Sequence, residues 1–378
     1  MNDVEAMQIA LACAHSVEGR SSPRPPVGAV VVHHGEIVGR GATAPPYGPH
    51  AEVVALTQAG AAATDADLYV TLEPCCIHVH TPPCTEAIIA AGIRRVVVGT
   101  LDPNPRVREQ GIARLRAAGI EVSLLENTQQ ASEALEIIRP FETYITKGRP
   151  HITAKWAMTL DGKLASSTGD AYWISGQNAR TWVHDLRDRV DAILIGANTA
   201  RSDNPQLTVR LTPGKQRWER TPRQQPPLRV VLATHGQLAD TLALLQPDLA
   251  EGTCILVGET CPHEQRQRLA DYGVEVVPIA IGADDHIDLL AALQSLAQRG
   301  IMHVLMEGGA KLLGNAFDHR CIDSVAAFIA PKLIGGNDAP SPIGGRGLPR
   351  MVDAVQLQHP RMSVYDEDVL VEGNIVYQ

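Results

Sequence analysis

Long apolar runs are missing from this 378-residue chain: none reaches the roughly 18 residues that a membrane-spanning helix requires. Its opening, MNDVEAMQIALACAHSVEG, carries acids early and has neither the basic start nor the apolar core of a secretory signal peptide. We therefore expect a cytoplasmic protein with no membrane partner. An excess of positive charge is missing too. With 33 Lys and Arg against 42 Asp and Glu, the formal charge is -9, and aromatic residues make up 4% of the chain. That argues against a general phosphate-neutralising surface or a basic stripe interleaved with stacking aromatics, so no nucleic-acid partner is expected. Paired cysteines are lacking as well. The seven are odd in number and unevenly placed: Cys75, Cys76 and Cys84 lie close together, while Cys13, Cys254, Cys261 and Cys321 are isolated. This is metal-site usage, not a disulfide framework.

What is present suits a folded enzyme. At 44% hydrophobic and 20% charged residues the chain has enough apolar material for two cores, and its length exceeds what one core usually supports. An N-terminal amphipathic helix over 3–17 is followed by a hairpin of 27–32 with 37–38 across His33-His34-Gly35-Glu36. Then come helix 51–59, strand 68–72, helix 85–91, strand 95–98, helix 110–118, strand 120–124 and helix 127–138. Glycine and proline at Lys147-Gly148-Arg149-Pro150 interrupt this rhythm, so we divide the chain into domains 1–147 and 148–378. The second part repeats the alternation, with strands near 151–157, 192–195, 229–233, 254–257, 274–277, 302–306 and 324–329, and a final hairpin over 369–377 turning at 372–374. Segments 212–227 and 335–349 are expected to be surface loops, each able to border a ligand. Alternating strands and helices predict a layered α/β architecture for both parts.

The strongest chemical signal is His50-Ala51-Glu52, then Glu73-Pro74-Cys75, then Cys84. One imidazole and two thiolates form a catalytic zinc set whose fourth position stays open, and a carboxylate two residues from the histidine is free to carry a proton. The pattern is that of the zinc deaminases. Its second cysteine follows after eight intervening residues because Ile77-His-Val-His-Thr-Pro-Pro83 delays the helix whose start holds Cys84. The dipole of that helix would favour the Cys84 thiolate. The alternative, a closed structural site with Cys76, His78 or His80 as fourth ligand, has no use for Glu52.

The run 27–32 together with Gly48-Pro-His-Ala-Glu52, Thr71-Leu-Glu-Pro-Cys75, Thr81-Pro-Pro-Cys84 and Asp102-Pro-Asn-Pro105 resembles the deaminase half of the bifunctional riboflavin-biosynthesis deaminase/reductase family. The resemblance implies a cytidine-deaminase-like three-layer domain. It also implies hydrolytic deamination of 2,5-diamino-6-(5-phosphoribosylamino)pyrimidin-4-one, with His50, Cys75 and Cys84 on Zn2+ and Glu52 as the proton carrier. Four departures from the family pattern stand out: Arg24 in place of its asparagine, Thr43 in place of its histidine, Cys76-Ile77 in place of Ser-His, and Val107-Arg-Glu-Gln110 in place of a glycine-rich segment. They leave open a deaminase of altered small-molecule specificity. Arg24, between prolines, reads from the sequence as a solvated loop residue.

In the second part, Met306-Glu-Gly-Gly-Ala-Lys-Leu-Leu313 reads as strand, glycine turn and helix, a geometry that brings backbone N–H groups up to a phosphate but is not the dinucleotide fingerprint. This element, with 155–163, 168–174, 191–196, 203–210 and 330–336, resembles the reductase half of the same family. The resemblance implies a dihydrofolate-reductase-like domain using NADPH to reduce a ribosyl group to ribityl. Ala157, Trp173, Thr199, Asp203, Thr234, Gly309, Ala310, Lys311 and Leu312 would border NADPH. Lys155, Ala171, Arg187, Leu207, Arg210 and Glu307 would face the substrate, with Arg187 and Arg210 as forks on its phosphate and Ala171 where the family commonly has serine. A homodimer through this domain is also implied.

Overall fold

The computed structural model describes residues 1–78 and 82–377. Val79, His80 and Thr81, and with them one candidate fourth ligand and part of the Thr-Pro-Pro motif, lie outside the described residues. Two compact units emerge, Met1–Gly148 with Arg217–Gln224, and Arg149–Gln216 with Gln225–Gln378.

In the first unit the elements are α1 (Asp3–His15), β1 (Gly28–His33), β2 (Glu36–Ala42), α2 (Ala51–Ala59), β3 (Asp67–Val70), α3 (Cys84–Ala90), β4 (Arg95–Val98), α4 (Gln110–Ala117), β5 (Glu121–Leu124) and α5 (Gln129–Lys147). The sheet order is β2-β1-β3-β4-β5, with β1 antiparallel to both neighbours and β3, β4 and β5 parallel. Alternation along β1 sends Val30 and Val32 to a core shared with α1 and α5, and Ala29 and Val31 to one shared with α2, α3 and α4. That makes three layers. Gly41 lets α2 lie directly on β2: a Cβ there would meet the Ala51 carbonyl oxygen at 2.1 Å. This close seat brings the start of α2, with His50 and Glu52, down onto the sheet edge.

One expectation needs correction. The helix expected over 127–138 continues through Pro140 to Lys147, because Phe141 and Thr143 extend the buried stripe of Ala134, Ile137 and Ile138. It ends where Gly148 turns left-handed (φ +64) and its N–H donates to the Tyr144 carbonyl. The segment 217–224, within the surface loop expected over 212–227, is a loop of exposed and half-buried residues and belongs to the first unit. Trp218 stacks on His15 with ring centroids 4.5 Å apart, and Thr221 N–H donates to the Ser16 carbonyl.

The second unit comprises β6 (His151–Thr159), α6 (Gln177–Arg187), β7 (Ala192–Gly196), α7 (Ala197–Asp203), β8 (Leu228–Leu232), α8 (Pro247–Ala250), β9 (Thr253–Gly258), α9 (His263–Ala270), β10 (Glu275–Ile279), α10 (Leu289–Gln298), β11 (His303–Glu307), α11 (Ala310–Asp318), β12 (Ser324–Ala330), β13 (Leu357–Tyr365) and β14 (Asp368–Ile375). Its nine strands run β10-β9-β8-β7-β11-β6-β12-β14-β13, parallel as far as β12 and antiparallel beyond. Helices α6, α7 and α9 pack on one face and α10 and α11 on the other. The expected turn at 372–374 is absent, since β14 runs straight through it and the chain turns at 366–367 instead. Gly373 serves close packing there: a Cβ would lie 2.9 Å from the Leu357 Cβ.

A buried ion pair closes the start of this sheet. Arg149 Nη1 and Nη2 donate to Asp323 Oδ2 and Oδ1 at 2.6 and 2.9 Å, and Ile152 N–H donates to the same carboxylate. Burial alone would raise the Asp323 carboxyl, but Arg149, nearby His151 and the Ile152 N–H outweigh it and hold the group down at about 2. A depressed carboxyl stabilises the fold above its unfolded value and loses that contribution as pH falls toward 2, here roughly 2 kcal/mol. Asp323→Asn is expected to cost about 3 kcal/mol at neutral pH. In chemical denaturation, the gap from the parent protein should narrow on acidification below about pH 4.

Candidate active site

In the first unit, His50 is the N-cap of α2, Glu52 lies buried in its first turn, Cys75 follows β3, and Cys84 opens α3. His50 Nδ1 is 3.1 Å from Cys84 Sγ and 3.6 Å from Cys75 Sγ, and the three ligand atoms all lie within 4.8 Å of one another. Tetrahedral zinc, with bonds of about 2.0 Å to nitrogen and 2.3 Å to sulfur, needs ligand atoms roughly 3.5 Å apart, so the donor set fits it. Neither Cys76 nor His78 joins this group among the described residues.

The N–H at the start of α3 does not serve Cys84, contrary to the sequence reading. It donates to Cys75 Sγ at 3.3 Å. The Cys84 thiol, His50 and this N–H together bring the Cys75 thiol down to about 4 against the effect of burial, while Cys84, beside that thiolate and buried, is pushed up. One thiolate is thus ready at neutral pH, and a bound divalent cation would displace the proton from the other. Burial first, and then the Cys75 thiolate, push the Glu52 carboxyl up to about 7, against the pull of His50. A carboxyl poised there can both accept and return a proton.

The sequence motif by itself gives Glu73 no role. Its buried carboxylate accepts four backbone N–H groups, from Asp102, Glu109, Gly111 and Ile112, and so ties the metal-ligand loop to the start of α4. The signal for it was an acid at the end of an apolar strand, where only such a cradle satisfies the charge.

In the second unit, Lys155, Arg187, Thr199, Glu307 and Gly309 gather at the C-terminal ends of the parallel strands, where open α/β sheets bind ligands. Lys155 on β6 stands in register with Glu307 on β11. The guanidinium of Arg187, from the end of α6, is closed on Glu307, Nε to Oε1 at 2.6 Å and Nη2 to Oε2 at 2.8 Å. Its partner is not one of the acids of its own helix. Burial pushes the Lys155 ammonium below its ordinary range, Arg187 adds to this and Glu307 opposes it. Burial alone would raise the Glu307 carboxyl, but Arg187, Lys155 and His184 hold it low. Gly308 and Gly309 lead into α11 as expected, and Gly309 N–H donates to Thr199 Oγ1 at 3.3 Å. Leu207 is buried and Arg210 exposed. Ala171 and Trp173 lie on an exposed loop, Trp173 under the Arg180 guanidinium at 4.3 Å. Asp203 is exposed and pairs with Ser202, while Thr234, just past β8, accepts from Ile287 N–H. Among the described residues, no hydrogen bond links Ala171, Trp173, Asp203 or Thr234 to the Lys155–Glu307–Arg187 cluster.

Residues 150–371 match the RibD C-terminal domain family, and residues 1–100 match the cytidine and deoxycytidylate deaminase zinc-binding region. The riboflavin biosynthesis protein RibD of Aquifex aeolicus is 39% identical over 98% of this chain and 97% of its own, and that of Escherichia coli K12 is 34% identical over 98% of each. The chain belongs to the RibD family of bifunctional riboflavin-biosynthesis deaminase/reductases. Among solved structures, Acinetobacter baumannii RibD superposes with a TM-score of 0.82 at 32% identity. A Thermotoga maritima diaminohydroxyphosphoribosylaminopyrimidine deaminase/5-amino-6-(5-phosphoribosylamino)uracil reductase superposes with 0.79 at 33%, and both cover 98% of each chain. The family's zinc and NADPH are therefore the cofactors of this enzyme, and its substrates are small phosphoribosyl-pyrimidines. No helix among the described residues is long and apolar enough to cross a membrane.

Two departures from the family pattern acquire a physical account. Arg24 is not a solvated loop residue: it donates to the Gly48 carbonyl at 2.7 Å and to the carbonyls of Ala44 and Pro45, clipping the segment that leads into His50. Thr43 is buried with its hydroxyl accepting the Val27 N–H at 3.0 Å.

Proposed function

We propose that the first unit of this enzyme deaminates 2,5-diamino-6-(5-phosphoribosylamino)pyrimidin-4-one and that the second reduces the ribosyl of the product to ribityl. The observation that carries the first assignment is the buried Glu52 beside the His50, Cys75 and Cys84 donors. Bound there, zinc supplies the Lewis acidity that lets water attack near neutral pH. Glu52 takes the proton of the attacking water and returns it to the departing amine nitrogen, while Glu73 holds the Cys75 loop in place. In the second unit NADPH supplies the hydride when bound. Gly309 to Leu312, at the start of α11, with Ala157, Trp173, Thr199, Asp203 and Thr234, form its border. Lys155 and Glu307 orient the ribosyl group, with Leu207 and Ala171 beside it, and Arg210 takes the phosphate. Arg187, closed on Glu307, fixes that carboxylate in place.

The test is ammonia release by the zinc-loaded chain without NADPH, followed by NADPH oxidation once the nucleotide is added. No ammonia from zinc-replete, folded protein would leave a reductase joined to a deaminase of other specificity. The internal engagement of Arg24 and Thr43 is the observation that would favour such a reading.

The chain is also expected to dimerise through the second unit. Strand β13 is a sheet edge carrying exposed Met362 and Val364, with exposed Met351 and Val352 preceding it. Light scattering should return twice the chain mass, falling to a monomer for Met362→Glu with Val364→Lys; a monomeric parent protein would refute this.

A further inference from the structure

Helix α6 and the segment after α7 are joined at two points around the exposed Arg210. His184 Nδ1 accepts the Arg210 backbone N–H at 3.2 Å, and Arg187 Nη1 donates to the Thr208 carbonyl at 3.0 Å. Between α7 and these clips the chain bends through Leu207, whose side chain is buried in the core and whose φ is +51, a left-handed conformation that a leucine holds only when its surroundings impose it. The segment carrying Arg210 is therefore held in place from α6.

We propose that His184 is a positioning residue of the reductase: by accepting the Arg210 N–H it fixes the 207–210 segment on α6 and so aims the Arg210 guanidinium at the substrate phosphate. This rests on the assignment of Arg210 to that phosphate. The role requires a bare Nδ1, hence a neutral imidazole protonated on Nε2. The surroundings provide it. Burial, then the flanking Arg187 and Arg210, hold the imidazole down at about 4, outweighing Glu307 and the Thr208 carbonyl, so the acceptor persists throughout the neutral range.

Three full-length variants test this: His184→Leu, which removes the acceptor; His184→Asn, which places a carbonyl oxygen near the Nδ1 position; and Arg210→Gln. The readouts are reductase KM and kcat with the deaminated substrate, competitive inhibition by inorganic phosphate, and KM for NADPH. His184→Leu is expected to raise substrate KM and the phosphate inhibition constant about tenfold with kcat within roughly twofold, and His184→Asn to restore both. NADPH KM and ammonia release should not move. Arg210→Gln should raise the same two constants. If Arg210→Gln has its effect and His184→Leu has none, the inference alone falls. If Arg210→Gln has none, the phosphate assignment falls and takes the inference with it. Asparagine as impaired as leucine, or NADPH KM rising in step with substrate KM, overturns the acceptor role.

Discussion

Glu52→Gln is expected to reduce ammonia release by about three powers of ten while leaving bound zinc and NADPH oxidation unchanged. The carboxyl is buried beside the His50, Cys75 and Cys84 donors without being one of them, and burial with the Cys75 thiolate brings it up to about 7. Glutamine matches it in size, so the packing under α2 survives, but it can neither take a proton from the attacking water nor return one to the amine. Zinc content measured on the purified variant separates this chemistry from loss of the metal. Reduction of separately supplied deaminated substrate separates it from loss of the whole protein. Deamination surviving within tenfold of the parent would refute the proton-carrying role.

The second large effect is expected at the other site. Glu307→Gln should lower reductase kcat/KM by at least about 10²-fold and the stability of the second unit by about 3 kcal/mol, with ammonia release unaffected. Glu307 is the shared partner of two cations: its carboxylate receives two hydrogen bonds from Arg187 and stands in register with Lys155 on the adjacent strand. An amide offers one acceptor and no charge. Arg187 and Lys155 would then be left partly desolvated and unpaired, and Lys155, already below its ordinary range, would be pushed lower still. The pH profile gives an independent readout. Loss of the reductase Lys155 cation should occur at lower pH in the variant than in the parent. An unchanged profile with unchanged kcat/KM would remove Glu307 and Lys155 from the substrate site.

The amino-acid sequence determined the chemistry of the first site by itself, because spacing is a local property. His50 and Glu52 are two residues apart at a helix start, Cys75 ends a strand and Cys84 begins the next helix, so each backbone element delivers its own donor. The Glu307-Gly-Gly-Ala turn was legible for the same reason: strand period, glycine pair and helix onset are all written in neighbouring residues. Only the tertiary structure decided the partners. That the Cys84 N–H donates to Cys75 Sγ depends on how the start of α3 packs against the loop after β3. That Glu73 gathers four N–H groups and that Arg187 pairs with Glu307 depend on strand order. So does the placement of His184 against Arg210, which turns on where the 207–210 segment packs. Glycine does not mark a turn where it serves contact instead of curvature, as at Gly373 on β14. Hydrophobic period and metal-ligand spacing act over a few residues and can be read in order. Buried ion pairs and backbone cradles join residues far apart in the chain, and they exist only once the sheets have brought those residues together.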